Sequence, residues 1–197
     1  MSILSAALML FLLIDPLGNI PVLLSILKRV PAARRRKILI RETGIALAIL
    51  IVFLLFGRFM LKGMHLTPDA LGIAGGIVLF LMAIKMIFPE SHETKKESVK
   101  EFDEPFIVPI ATPLLAGPST LTIIILLTSQ HPHRILSWLI ALILAWSVCT
   151  AILLCSDLLR KILKERGLMA IERLMGLILV TMATQMFLNG IKHFFSL

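Results

Sequence analysis

Long apolar stretches constrain this chain more than any other feature of its sequence. A helix that crosses a bilayer needs about 20 apolar residues, and six stretches of the chain approach or exceed that length. They run approximately over residues 3–27, 41–61, 70–88, 106–128, 135–156 and 170–191. Charged residues make up only 16% of the 197 residues, whereas they make up about a quarter of a soluble domain. The sequence therefore predicts an all-α polytopic membrane protein of six helices, a single membrane domain over 1–197, with the lipid bilayer as its surroundings.

The basic residues are distributed unevenly over the links between these stretches. Sixteen of the 20 Lys and Arg residues lie in or beside the first, third and fifth links, and four lie on the opposite side. Because cytoplasmic loops carry an excess of Lys and Arg, these three links are expected in the cytoplasm, with both termini outside. The net charge of +8 is then a topology signal, and no nucleic-acid partner is expected. The third link, 89–105, is predicted to be a charged cytoplasmic loop.

The two halves of the chain resemble each other. GIVLFLMAIKMIF (76–88) and GLILVTMATQMFL (176–188) share five of 13 positions at an offset of 100. DPLGNIPVLLSIL (15–27) and TPLLAGPSTLTII (112–124) both contain two prolines five residues apart. Since each half holds three spans, an odd number, the second half is expected to be inverted relative to the first, as in many secondary transporters. The predicted repeats are residues 1–88 and 106–197.

The first and fourth stretches contain residues that interrupt a helix. Proline lacks an amide hydrogen and clashes with the preceding turn. Breaks are therefore expected around Pro16 and Pro21 in the first stretch and around Pro113 and Pro118 in the fourth. Each break creates a new helix start, where free N–H groups and the helix dipole attract an anion.

The candidate substrate-binding or ion-binding residues lie at these two breaks. They are Asp15, Gly18, Asn19, Gly117, Ser119 and Thr120. Asn19 is expected to cap the second half of the first helix, and Ser119 and Thr120 supply hydroxyls. Asp15 is a carboxylate near the middle of a span, where acids usually mark function. It is expected to bind Na⁺ or a substrate ammonium, to carry a proton for coupling, or to cap the unwound segment.

One carboxylate and two positive helix starts near the midplane suit a zwitterion, which points to secondary transport of a neutral amino acid. Alternating access is then expected from one half rocking against the other around the two breaks. Export of a hydrophobic metabolite or drug, and a non-transporting scaffold or regulatory subunit, are the alternatives. The sequence lacks hydrolase, P-loop and dinucleotide-binding motifs. We therefore expect no enzyme activity, no metal site and no cofactor beyond H⁺ or Na⁺, while homo-oligomerisation is left open.

Two further groups of residues receive structural interpretations. Arg41 and Glu42, at the start of the second span, are interpreted as anchors at the membrane interface. Gly72, Gly75 and Gly76 in the third span predict a close helix–helix contact, because small residues let membrane helices approach each other.

Four segments resemble the MarC family of six-span bacterial membrane proteins. The segments are DPLGNIPVLLSILK, GGIVLFLMAIKMIFP, EPFIVPIATPLLAGPSTL and ERLMGLILVTMATQMFLNGI. The resemblance covers essentially the whole chain, and residues 15–21 and 116–119 match the family's motifs. It implies an inner-membrane protein with periplasmic termini and a fold related to the LysE-type exporters. Some relatives move glycine and alanine, so the resemblance also implies transport of a neutral amino acid.

Overall fold

The structure, a computed structural model, describes residues 2–27, 30–88 and 110–195. Over these ranges the chain is helical and contains no strand, which confirms the all-α prediction for that part. The helices are α1 (Ile3–Ile14), α2 (Pro16–Leu27), α3 (Ala32–Gly63), α4 (Pro68–Ile87), α5 (Pro118–Gln130), α6 (Ile135–Leu154) and α7 (Ser156–Phe194). A wide turn of π-helix (Ile110–Leu115) precedes α5. The predicted loop at 89–105 lies outside the described residues.

Five segments in the described part of the chain are long and apolar enough to cross a membrane. They are Ile3–Leu24, Arg34–Gly63, Pro68–Ile87, Pro132–Leu154 and Arg166–Lys192. These segments correspond to the first, second, third, fifth and sixth predicted stretches. The fourth stretch instead holds the π turn and α5, whose 13 residues extend only about 20 Å at 1.5 Å per residue. By itself α5 is too short for a hydrocarbon core of about 30 Å.

Helices from the two sequence halves alternate around the bundle. α4 contacts α5, α5 contacts α3, and α3 contacts α6; α6 contacts α1 and α2, α2 contacts α7, and α7 returns to α4. The interrupted segments also touch each other, since α1 contacts α5 and α2 contacts the π turn. The packing core is therefore shared between the two halves, and the two predicted breaks lie side by side.

The most extensive contact between two of the described helices joins α4 and α7, through small residues. A Cβ atom added at Gly76 would lie 3.0 Å from the Ala183 carbonyl oxygen, and one added at Gly176 would lie 3.1 Å from the Ala83 carbonyl oxygen. The two contacts exchange under the 100-residue offset of the sequence repeat. At Gly75 a Cβ atom would lie 2.6 Å from the Met186 methyl carbon. The predicted close contact is thus confirmed at Gly75 and Gly76, and its partner is α7.

The helices of this pair run antiparallel. Gly190 of α7 lies against the Asp69 carbonyl near the start of α4, while Gly176 lies against Ala83 near its end. Two antiparallel helices with exchanged contacts have the geometry of a local two-fold axis. Here Gly76 contacts Ala183, and the equivalent residues Gly176 and Ala83 contact each other in the same way.

Candidate substrate and ion site

The chain interrupts its first span at Asp15. α1 ends at Ile14, Asp15 adopts a left-handed conformation (φ 47°, ψ 63°), and α2 begins at Pro16. Proline is well suited to the first position of a helix, where no amide partner is needed. The Asp15 Oδ1 atom accepts a hydrogen bond from the Gly18 amide at 3.0 Å. The carboxylate therefore caps the first turn of α2, as N-cap side chains do.

The other carboxylate oxygen of Asp15 is available for a ligand. Asp15 is only 4% exposed, and its Oδ2 atom has no hydrogen-bond partner among the residues that the structure describes. A buried polar atom without a partner costs free energy, and a charged one costs more. A metal cation, an ammonium group or a proton would relieve that cost, so Oδ2 has the chemistry of a binding or coupling group.

Gly18 makes room for this carboxylate. A Cβ atom on Gly18 would collide with Asp15 Oδ2 and with the methyl carbon of Met86, which α4 contributes to the site. The glycine is therefore required by close approach, and the apolar methyl carbon of Met86 lies near the carboxylate.

Gly18→Ala is expected to lower the free energy of unfolding by about 1–2 kcal/mol, because the added carbon overpacks the site and displaces the capping carboxylate. Chemical unfolding of the purified protein in micelles measures the change. Gly63→Ala is the matched control, since nothing lies within 4 Å of a Cβ atom there. Equal stabilities for Gly18→Ala and the unsubstituted protein would contradict the packing described.

The second break lies between the π turn and α5. Within the turn, Thr112 has extended backbone angles (φ −132°, ψ 135°). The Ala116 amide donates to the Ala111 carbonyl at 2.9 Å, which closes the wide turn. α5 then begins at Pro118, with Gly117 at its N-cap position. The backbone therefore leaves a regular helix at both sequence-predicted positions.

The first turn of α5 presents two buried hydroxyl side chains. Ser119 is 2% exposed and Thr120 is 1% exposed. The Thr120 Oγ1 atom has no hydrogen-bond partner in the part of the chain that is described. An unpaired hydroxyl beside the free amides of a helix start can donate to an anion.

Asn19 connects the two breaks. Its side-chain amide donates to the Ile14 carbonyl at 2.9 Å and to the Leu114 carbonyl at 3.3 Å. The Ile14 carbonyl lacks its helical donor because the Gly18 amide binds Asp15. The Leu114 carbonyl would pair four residues ahead with a proline, which has no N–H. One side chain thus satisfies one backbone acceptor at each break, across 95 residues of sequence.

Two details of the predicted site are corrected by this geometry. Asn19 is not a cap, because α2 already begins at Pro16 and Asn19 lies in its second turn, where it donates to carbonyls. Pro21 does not interrupt the chain, because it lies inside α2. A proline this close to a helix start removes one backbone hydrogen bond, and α2 continues through it. Pro113 lies within the π turn, and Pro118 begins α5.

Glu42 is a buried acid whose position the sequence interpretation missed. Its side chain is fully buried, and Oε1 accepts a hydrogen bond from Arg41 Nε at 3.0 Å. Beside it, the Thr43 carbonyl accepts a hydrogen bond from the Trp146 indole at 2.8 Å, which ties α3 to α6. The interface-anchor interpretation is wrong for Glu42, because α3 begins at Ala32 and carries the acid into the bundle. The sequence feature that could have indicated this burial was an acid within a largely apolar segment.

Asp15 is closed off from the surface in this structure. Two surface cavities, of 360 and 260 Å³, lie along α4 and α7 and have almost entirely apolar linings. Neither is lined by Asp15 or by any residue of α5. Asp15, Ser119 and Thr120 are each no more than 4% exposed, so access of a solute to the breaks requires the helices around them to move.

Comparison with known proteins gives full-length matches. Residues 1–195 match the model of the family described as MarC family integral membrane protein. The chain is 50% identical over 190 residues to the UPF0056 inner membrane protein YhgN of Escherichia coli (strain K12), covering 96% of each. It is 48% identical over 195 residues to a UPF0056 membrane protein of Buchnera aphidicola subsp. Baizongia pistaciae, covering 98% of each. A relative from Methanocaldococcus jannaschii, UPF0056 membrane protein MJ1677, is 32% identical over 188 residues, covering 92% of each. No solved structure matches the chain.

Proposed function

This chain belongs to the MarC family of integral membrane proteins, and we propose that it is a secondary transporter of a small solute, with a neutral amino acid as the substrate. The observation that carries the proposal is the pair of interrupted helices joined by Asn19. Each break presents a buried polar atom that lacks a partner among the described residues, Asp15 Oδ2 and Thr120 Oγ1. Discontinuous helices that meet in this way are a recurring form of substrate site in secondary transporters.

The charges at the two breaks favour a zwitterion. The ammonium group of an amino acid would bind Asp15 Oδ2, and its carboxylate would bind the start of α5 at Gly117, Ser119 and Thr120. The Met86 methyl group beside Asp15 is apolar, which favours a small, uncharged substrate side chain. A proton or Na⁺ at the same carboxylate is the coupling ion that this chemistry allows.

A non-transporting scaffold would be expected to bury Asp15 with both carboxylate oxygens hydrogen-bonded. Asp15 Oδ1 is satisfied by Gly18, but Oδ2 has no partner in the region described. A scaffold gains nothing from an unpaired carboxylate oxygen, whereas a binding site uses it. We therefore favour the transporter over the scaffold.

We infer that the two halves are inverted repeats and that the π turn and α5 together form the fourth of six spans. The exchanged contacts of Gly76 and Gly176 support this arrangement. The helix contacts support it as well, because they occur in equivalent pairs. The contact of α1 and α2 with α6 is equivalent to that of the π turn and α5 with α3, and the contact of α2 with α7 is equivalent to that of α5 with α4. We place the protein in the inner membrane, as the name of the Escherichia coli relative states for that protein, with both termini periplasmic.

The alternating order of helices changes how access would be achieved. Rocking one sequence half against the other would separate most of the packed contacts, since nearly all of them cross between halves. We propose instead that smaller movements of α1 and α5 occur at their breaks, around Asp15 and residues 112–117. The shared α4–α7 pair would then stay fixed.

Asp15→Asn is the variant that tests the proposed function. Asparagine keeps a side-chain oxygen for the Gly18 amide and tolerates a left-handed backbone, while it removes the carboxylate charge at Oδ2. We expect the purified protein in liposomes to show counterflow of glycine, alanine or serine. We expect the counterflow rate of Asp15→Asn to be at least about tenfold lower, because a charge-assisted hydrogen bond to the substrate is lost.

Asp69→Asn is the matched control, because it makes the same change in the first turn of α4, and counterflow should persist. Absence of counterflow for every amino acid tested would overturn the amino-acid proposal. Counterflow by Asp15→Asn at the level of the unsubstituted protein would remove Asp15 from the site. If Asp15→Asn lost both activity and stability, the carboxylate would be a brace of the broken helix.

A further inference from the structure

α7 begins with a short helical segment that precedes its membrane-crossing part. Residues 156–163 come before a kink at Lys164, whose backbone angles are φ 52° and ψ −178°. The preceding span ends at Leu154, and the next one begins at Arg166. The segment therefore joins two spans at one surface of the bilayer.

This segment has three distinct faces. Leu159 and Leu163 pack against the core of the bundle. Leu158 and Ile162 are 58% and 70% exposed, and side chains four residues apart share one face of a helix. The remaining face carries the basic residues Arg160 and Lys161, with Asp157 between them. Exposed apolar side chains beside basic ones, outside a span, are typical of a helix that lies in the membrane interface.

The start of α3 lies beside this segment and contributes further basic residues to the same surface. Arg35 donates through Nε to the Val30 carbonyl at 3.0 Å, and its guanidinium lies 3.9 Å from the Asp157 carboxylate. Over residues 30–37 and 156–166 the acids are Asp157 and Glu165. The basic residues are Arg34, Arg35, Arg36, Lys37, Arg160, Lys161, Lys164 and Arg166.

We propose that this surface, residues 30–37 with 156–166, binds the headgroups of anionic phospholipids. Guanidinium and ammonium groups donate charge-assisted hydrogen bonds to phosphate, and clusters of basic residues next to a span attract anionic lipid. Leu158 and Ile162 insert among the upper parts of the acyl chains. A small soluble anion would leave these two apolar side chains exposed to water. The apolar pair thus selects a lipid over a soluble phosphate, and the excess of positive charge selects an anionic lipid over a zwitterionic one.

Spin-labelled lipids test the proposal with the full-length protein in phosphatidylcholine bilayers. The fraction of label that the protein immobilises is compared for phosphatidylglycerol and phosphatidylcholine probes. We expect a clear preference for phosphatidylglycerol that falls by about fivefold or more in the double variant Arg160→Gln, Lys161→Gln. Arg58→Gln with Lys62→Gln makes the same charge change at the other end of α3 and should leave the preference unchanged.

Several outcomes would overturn the proposal. These are no preference in the unsubstituted protein, equal losses in the two double variants, or displacement by inorganic phosphate that exceeds displacement by chloride at equal ionic strength. The last result would indicate a site for soluble phosphate. Unchanged immobilisation of phosphatidylcholine shows that each variant is folded, and the charge-conserving pair Arg160→Lys, Lys161→Arg should keep the preference.

Discussion

Replacing Asn19 with leucine is expected to lower the free energy of unfolding by about 2–4 kcal/mol. The substitution preserves side-chain size but removes the amide that donates to the Ile14 and Leu114 carbonyls. An acceptor that loses its partner in a buried site costs about 1–3 kcal/mol, and the membrane interior offers no water as a replacement. Since the two carbonyls belong to different breaks, the variant should loosen the contact between them.

Unfolding of the purified protein in mixed micelles measures this change, and Asn189→Leu is the matched control. Asn189 is exposed on α7, where its side-chain oxygen accepts a hydrogen bond from Gln185 at 2.9 Å. The same chemical change there removes only an exposed hydrogen bond and should cost well under 1 kcal/mol. Similar losses for the two variants would mean that Asn19 does not hold the breaks together.

The membrane-crossing helices could be predicted because each is a long apolar run. Five predicted stretches correspond to candidate spans, and the differences are confined to their ends. α3 extends to Ala32, beyond its apolar part, because the basic residues at its start are good helix formers. The fourth stretch could not be divided from hydropathy alone, since the π turn (IATPLL) and the middle of α5 (LTIIILL) are both apolar.

The positions of the breaks were partly predictable. Proline and glycine identify both interrupted segments, but they do not show which proline lies at the break and which lies inside a helix. Pro16 begins α2, whereas Pro21 lies inside the same helix. The difference depends on Asp15, whose left-handed backbone and capping carboxylate fix the start of α2 at Pro16.

The contacts that assemble the candidate site could not be predicted. Asn19 reaches Leu114 across 95 residues, and only the arrangement of the helices brings its amide to both carbonyls. Glu42 was missed for a related reason. Its burial depends on how far α3 continues into the bundle, which the charge pattern of RETG does not show.

The proposed inverted repeat makes a further prediction about the α4–α7 pair. Gly76→Ala and Gly176→Ala are each expected to lower the free energy of unfolding by about 1–3 kcal/mol, because the added carbon meets backbone atoms that cannot rotate away. The nearest carbonyl oxygens lie 3.0 and 3.1 Å from the two Cβ positions. If the contacts are related by a two-fold axis, the two losses should be similar.

Gly44→Ala provides a control in which the stability is not expected to fall, since nothing lies within 4 Å of its Cβ position. Alanine is favoured over glycine in a helix by about 0.8–1.0 kcal/mol, so Gly44→Ala should leave the protein at least as stable as before. The double variant of Gly76 and Gly176 should lose less than the sum of the single losses, because one separation of α4 from α7 relieves both collisions. Additive losses would mean that the two glycines pack independently, and a large loss at only one of them would contradict the proposed two-fold relation between the halves.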